Sequence, residues 1–274
     1  MRSFLTLSAI VTASIVVGIA LFLLYFSLPL LEGSGLEKTI VGGGDGDLSY
    51  GVLPALVGTL WISLLSTLFA LFISLFTSMG LESLSGKRYT RFVESFYEIL
   101  SSIPTVVYAF LGIVLLLPHM RALFGGSGMS ILSASIVLSL VISPTMILYF
   151  RESFSTVPRE YRVVVYSLGG DEGSYIRRVL LPFRAKSLKV GTIMGFARAS
   201  GDTMVSLMLA GNSLEIPISP LDGARTLTTH IALLFAEDFD SAEFRSIFVA
   251  GLILMSVTIS IIVSIRKMGA KDVG

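Results

Sequence analysis

Residues 190 to 212 read VGTIMGFARASGDTMVSLMLAGN, a hydrophobic segment of membrane-spanning length that carries Arg198 and Asp202. A helix that starts after Lys189 would place Arg198 roughly 13 Å and Asp202 roughly 20 Å into a hydrocarbon core of about 30 Å. Each charge there costs about 2.5–3.5 kcal/mol. Two interpretations are open: an ion pair, since residues four apart share a helix face, or a polar translocation path. A helical pair with Arg before Asp stabilises a helix by only a few tenths of a kcal/mol, which does not offset the cost of placing the two charges in the membrane. The pattern therefore favours the translocation path.

The composition is that of an integral membrane protein. The chain has 274 residues, of which 53% are hydrophobic and 14% charged, and its mean hydropathy is +0.84. Without cysteine it has no disulfide, thiolate metal site or thiol nucleophile. His119 and His230 lack ligand spacing, so we expect no metal site. We expect no catalytic residue, and no basic run suits a nucleic acid.

Uncharged runs and the segment above predict an all-α fold with six transmembrane helices in a single domain, residues 1–274. A cytoplasmic loop, residues 151–188, separates the fourth helix from the fifth. The predicted helices cover residues 5–30, 53–79, 98–118, 130–150, 189–211 and 245–265.

Basic residues predict the orientation, because Lys and Arg accumulate on the cytoplasmic side. With both termini cytoplasmic, only four of the 20 Lys and Arg residues fall in outer loops: Lys38, Arg121, Arg225 and Arg245. The sequence therefore predicts a multi-pass protein with cytoplasmic N- and C-termini.

Prolines interrupt two of the predicted helices. Ser102 and Pro104 lie at the start of the third, and Pro144 lies within the fourth. A proline removes a backbone hydrogen bond, and a freed carbonyl in a membrane is tolerated where it is buried or lines a wet cavity. These residues predict either a gate or a packing kink.

The cytoplasmic loop alternates arginines with apolar residues, and Gly169-Gly170 divides it. This pattern predicts two short amphipathic helices joined at a sharp turn, with Asp171 and Glu172 favouring the start of the second. A helix pair that only lies on anionic lipid is the alternative.

The spacing of motif residues in this loop argues against lipid binding as its main role. The loop resembles the signature loop of ABC importer permeases, because nine residues separate Gly169 from the motif Val179-x-Leu181-Pro182. It departs from that family at residues 163–165, where three valines replace Glu-Ala-Ala. In that family the loop is a coupling helix that docks into the ATPase subunit. The resemblance implies these ATPase-coupling residues: Leu168, Gly169, Gly170, Asp171, Glu172, Leu181 and Pro182.

A second motif narrows the family. The sequence resembles the permeases of phosphate-specific transport in the motif Gly195-x-x-Arg198-Ala-x-Gly-Asp202-Thr-Met, which is followed by Ala-Gly-Asn212. Within that family, the Met and the closing Ala-Gly-Asn favour the C-type subunit. Residues 102–108 and 225–228 are also similar to that family. Asp202 departs from it, because the family usually has Glu there.

The resemblance implies a type I ABC importer permease that moves phosphate across the cytoplasmic membrane of a prokaryote. Its implied partners are an A-type sister permease, two ATPase subunits and an extracytoplasmic phosphate-binding protein. No stretch matches G-x-x-x-x-G-K-[ST], so the chain itself binds no cofactor and we expect ATP and Mg on the partner ATPase. The expected substrate-pathway residues are Arg198, Asp202, Thr203 and Asn212.

Three alternatives remain at this point. The substrate is another oxyanion, such as molybdate, tungstate or sulfate, or the chain is an ion-coupled secondary transporter, or it is a membrane-embedded sensor or scaffold. A secondary carrier often shows two repeated halves, which this sequence lacks. A sensor needs a soluble output element, and the loops leave no room for one.

Overall fold

The chain is described here from a computed structural model that covers residues 2–31, 51–83, 87–238 and 241–269. The predicted Lys38 lies outside the described residues. The described part is helical, and the helices are α1 (Arg2–Leu31), α2 (Val52–Ser83), α3 (Lys87–Ser102), α4 (Thr105–Phe124), α5 (Ile131–Ser155), α6 (Arg159–Ser167), α7 (172–183), α8 (Ala185–Ser200), α9 (Met204–Leu209), α10 (Leu227–Leu234) and α11 (Ala242–Gly269).

Five helices of the described residues are long and apolar enough to cross a membrane. They lie in α1, α2, α4, α5 and α11. The helix α5 is the centre of the bundle, with α2, α3, α8 and α9 packed around it, while α1 packs on α11. The prediction of an all-α membrane protein is confirmed.

Small polar residues let α2 approach α5 closely. Ser63, Ser66, Ser74 and Ser78 are buried in α2, and the Ser74 hydroxyl donates to the backbone carbonyl of Ser143 over 3.2 Å. Small residues at helix contacts are typical of membrane bundles, because apolar lipid provides no hydrophobic drive and close packing must replace it. The uncharged serine face of α2 is thus a packing surface.

The third predicted helix differs from the observed one. Its expected bounds were 98–118, whereas the chain forms α3, breaks at Ile103-Pro104, and continues as α4 to Phe124. Proline disfavours the helical conformation of the preceding residue, which accounts for the break. The helix α3 was not predicted because its charged residues exclude it from the uncharged runs that identify membrane helices.

Pro144 lies inside α5, and the gate or packing kink expected at this position stays a prediction. Proline at this position leaves the carbonyl of Leu140 without its usual N–H donor. The Ser143 hydroxyl donates to that carbonyl over 3.3 Å, so a side chain replaces the missing backbone donor. The helix therefore continues from Ile131 to Ser155.

The fifth predicted span, 189–211, is divided in the structure. The helix α8 ends at Ser200, residues 201–203 are not helical, and α9 follows for only six residues. The depth predicted for Asp202 assumes one continuous helix, and the break at residues 201–203 makes that depth wrong. A single membrane span over this segment stays a prediction.

Candidate functional site

Arg198 lies in the last turn of α8 and is exposed in the isolated chain. Its guanidinium donates to the hydroxyl of Thr145 on α5. Both Arg198 and Asp202 are described, yet no nitrogen and oxygen of the two side chains lie within ion-pair distance, so the ion-pair interpretation was wrong. Thr145 is neutral, and no carboxylate of the described residues lies within ion-pair distance of Arg198.

A cavity of about 170 Å³ lies beside Arg198, between α5 and α8. Two glycines let the helices meet there: a Cβ on Gly195 would lie 2.5 Å from the Met146 sulfur, and one on Gly191 would lie 2.5 Å from Cε1 of Phe150. The cavity lining comprises Ile142, Thr145, Met146, Tyr149, Gly191, Met194, Gly195 and Arg198. The site therefore combines one cation, two hydroxyl-bearing side chains and an apolar wall.

Asp202 lies in the break between α8 and α9. Its carboxylate accepts a hydrogen bond from the Val205 N–H over 2.9 Å, so it caps the start of α9. Its backbone carbonyl accepts from the Thr228 hydroxyl over 2.8 Å. Aspartate competes with a helix for backbone donors, which explains why the helix stops here.

Thr203 and Asn212 bound α9 at its two ends. Thr203 precedes the helix and makes no capping hydrogen bond with its side chain. Asn212 has a positive φ of 51°, which asparagine tolerates better than most residues, and its amide nitrogen donates to the Leu207 carbonyl over 2.8 Å. The structure gives Asn212 a place in the turn, and the transport roles of both residues stay predictions.

The candidate gate residues lie in the break between α3 and α4. The Ser102 hydroxyl donates to the Glu98 carbonyl within α3, over 2.9 Å. Pro104 starts α4, and the Tyr108 hydroxyl donates to the Leu100 carbonyl across the break, over 2.9 Å. These contacts describe a bend with a side-chain bridge, and a gating role for the bend stays a prediction.

The loop of residues 151–188, which is predicted to be cytoplasmic, contains the two helices α6 and α7. Gly169 has a φ of +78° in the turn between them, and Leu168 beside it is 82% exposed. The Asp171 carboxylate accepts from the Ser174 N–H over 2.9 Å and so caps α7. Hydrogen bonds from Ser174 lower the pKa of Asp171, because they stabilise the ionised carboxylate.

The second half of the predicted coupling set has a different environment from Leu168. Leu181 is partly buried and packs on a cluster that contains Phe154, Tyr175 and Leu180, whereas Pro182 is exposed. Glu172 is bonded to Arg162 and has a structural role inside the loop. The exposed members of the predicted coupling set are therefore Leu168, Gly169, Asp171 and Pro182.

Sequence reasoning missed Thr145 and Thr228, which touch the site from other helices. Thr145 is 53 positions from Arg198, and Thr228 is 26 from Asp202. Thr145 directly follows Ser143-Pro144, the predicted gate or kink. A polar residue next to a proline inside a membrane helix is the sequence feature that could have indicated a site residue. The partner of each residue required the tertiary structure.

Comparisons with known proteins agree on the region that contains these residues. Residues 70–269 match the family described as "Binding-protein-dependent transport system inner membrane component". The "Probable ABC transporter permease protein YqgH" of Bacillus subtilis is 31% identical, over 83% of this chain and 74% of its own. A "Phosphate transport system permease protein PstC" of Xylella fastidiosa is 30% identical, over 80% of this chain and 74% of its own.

A solved structure shares the fold at low sequence identity. It is a chain of a bacterial alginate ABC transporter in complex with a periplasmic protein bound to an alginate pentasaccharide, with a TM-score of 0.67 and 14% identity. The similarity covers 98% of this chain and 95% of that one. This likeness concerns the fold alone.

Proposed function

The chain belongs to the family of binding-protein-dependent transport system inner membrane components, and from that membership we propose that it is the C-type permease subunit of an ATP-driven importer of inorganic phosphate. Its fold is that of a type I ABC importer permease, as the sequence predicts. It is a multi-pass membrane protein. The matched PstC relative supports the substrate and the subunit type.

One observation carries the proposal: Arg198 lines a cavity in a membrane protein and is bonded to a neutral hydroxyl rather than to a carboxylate. An arginine is always ionised in a protein, and its planar fork of donors matches two oxygens of a phosphate. An oxyanion that enters the cavity would supply the missing negative charge. Arg198 is therefore the proposed contact for the anion.

Asp202 has a second proposed role, in discrimination. Its carboxylate has more acceptor capacity than its hydrogen bonds from the Val205 and Ser206 N–H groups use. Phosphate still carries a proton on one oxygen at neutral pH and can donate it to a carboxylate, whereas sulfate cannot. Asp202 would thus favour phosphate over sulfate.

ATP hydrolysis is assigned to partners. The exposed Leu168 at the turn of the cytoplasmic loop is a suitable side chain for a groove in an ATPase subunit, and we assign the other predicted coupling residues, 169–172, Leu181 and Pro182, to shaping and supporting that turn. We assign the second half of the path to an A-type sister permease and substrate delivery to an extracytoplasmic phosphate-binding protein. ATP and Mg would bind to the ATPase, with both termini of this chain cytoplasmic.

Uptake of labelled phosphate in a strain that lacks this chain tests the proposal. Restoring the wild type should restore uptake, and Arg198→Ala should lower it at least about tenfold, as expected for loss of charge-assisted hydrogen bonds of about 1.5–3 kcal/mol. Arg266→Ala, which removes an exposed arginine at the cytoplasmic end of α11, is the matched control. Normal uptake by Arg198→Ala in an assembled complex would contradict the pathway role.

Competition and co-purification separate the alternatives. Excess sulfate, molybdate or tungstate should leave phosphate uptake unchanged, and strong inhibition by one of them would move the proposal to that oxyanion. An ATPase subunit should co-purify with the chain, and uptake should stop when ATP is depleted while the ion gradients are maintained. Uptake that follows an ion gradient instead would favour a secondary transporter.

A further inference from the structure

Four ion pairs link five charged side chains from five helices. Arg151 on α5 bonds Glu82 at the end of α2, and also Glu94 on α3 over 3.1 Å. Arg162 on α6 bonds Glu172 on α7 and lies 4.0 Å from the carboxylate of Glu82. We refer to these residues, 82, 94, 151, 162 and 172, as the ionic cluster.

The cluster is partly shielded from solvent, most at its centre and least at Glu94, whose side chain is 33% exposed, and it is supported by other contacts. Glu82 is 15% exposed and Arg151 is 19% exposed. Arg162 also donates to the backbone carbonyl of Glu82 over 2.9 Å, and its guanidinium carbon lies 4.9 Å from the ring centre of Tyr175. Isolated surface pairs contribute little, whereas a partly buried network with several hydrogen bonds holds its helices in one arrangement.

The helix α3 contacts α5 by packing and is joined to the ionic cluster by one of its carboxylates. It packs on α5, while Phe92, Phe96 and Ile99 on its outer face are exposed in this chain. Glu94 is its ionic connection to the cluster. At its other end the chain breaks at Ile103-Pro104, and element-terminal breaks of this kind are where hinges absorb a change of backbone angles.

We propose that Arg151 is a positioning residue for transport: through Glu94 and Glu82 it makes α3 move with the cytoplasmic loop when that loop is displaced by an ATPase subunit. The inference rests on the proposed function. The loop is tied to Glu82 by Arg162, Glu82 is tied to Arg151, and Arg151 is tied to α3. Each step is a direct contact, so displacement of α6 and α7 reaches the bend at Pro104.

The substitution that tests the relay is Glu94→Gln, which removes one charge and leaves the side chain size unchanged. The matched control is Glu98→Gln, one turn further along α3, because Glu98 is exposed and its carboxylate makes no ion pair in the described part of the chain. Glu94→Asp keeps the charge. In membrane vesicles with the complete transporter, Glu94→Gln should lower phosphate imported per ATP hydrolysed about fivefold or more, the lower end of ordinary coupling between sites.

A second readout does not depend on phosphate. The chain has no cysteine, so Ser95→Cys places a single thiol on the exposed side of α3. ATP with vanadate should change the labelling of this thiol by a membrane-impermeant maleimide. The change should persist with Glu98→Gln and Glu94→Asp and disappear with Glu94→Gln.

The outcomes separate the two proposals. Labelling that does not respond to ATP in the otherwise unchanged chain, or that responds equally with Glu94→Gln, would overturn the relay. A normal labelling response without phosphate uptake would instead refute the proposed substrate and leave the relay in place. If Glu94→Gln only lowers thermal stability, while the phosphate-to-ATP ratio and the labelling response stay normal, the cluster is structural and the inference is wrong.

Discussion

Substitution of Gly191 by Ala should damage both the stability of the bundle and transport. The added methyl would lie 2.5 Å from Cε1 of the buried Phe150 and 2.7 Å from Cδ1 of Tyr149. Carbon atoms pack at about 3.5–4.0 Å, so α8 and α5 would have to separate by about 1 Å. Overpacking costs about 1–3 kcal/mol, and the better helix propensity of alanine returns about 1 kcal/mol. The net loss is therefore about 0–2 kcal/mol.

The functional effect of Gly191→Ala should exceed its effect on stability. A separation of about 1 Å would stretch the contact between the Arg198 guanidinium and Thr145, and displacements of this size in a site can lower a rate about a hundredfold. Thermal unfolding of the purified transporter and labelled-phosphate uptake measure the two effects. Gly18→Ala is the control, since a methyl there meets no atom of the described chain within 4 Å. Equal stability and equal uptake for the two variants would refute the packing argument.

Three further predictions follow from contacts on α5, the loop and α9. Ser143→Ala should lower the melting temperature, by a loss of about 1–3 kcal/mol, because the Leu140 carbonyl then lacks a donor; adding Pro144→Ala should restore stability, and no rescue in the double variant would contradict this. Leu168→Glu should leave ATP hydrolysis active but uncouple it from uptake, and normal uptake per ATP would exclude a docking role. Asp202→Asn should keep the cap of α9 and change transport or sulfate exclusion, whereas wild-type uptake and selectivity would leave Asp202 only its structural role.

The membrane helices were predictable because their signal is local. An uncharged run of sufficient length identifies α2 or α5 without knowledge of any other helix. The turn at Gly169 and the cap at Asp171 are also local, since a positive φ and a carboxylate before a helix involve only neighbouring residues. The sequence therefore predicted the loop in detail.

The features that the sequence did not predict depend on competing hydrogen bonds or on contacts between residues that are far apart in the chain. Asp202 was read as part of a helix because its neighbours are apolar, but its carboxylate binds a backbone N–H and ends the helix. Charges concealed α3, although Phe92, Phe96 and Ile99 follow a helical spacing that indicates one apolar face. The pairing of Thr145 with Arg198 joins residues far apart in sequence, and no pattern in one chain predicts it.

The hydrogen bond from Thr228 to the Asp202 carbonyl limits how this protein can be recombined with its relatives. The donor belongs to α10, which lies inside the predicted outer loop, and the acceptor lies between α8 and α9, before that loop. A chimera that exchanged only residues 213–226 would preserve both partners, whereas a graft that extended through α10 would replace one of them. Engineering of the outer surface for a foreign delivery protein should therefore place its junction before Leu227, so that the bond is inherited intact.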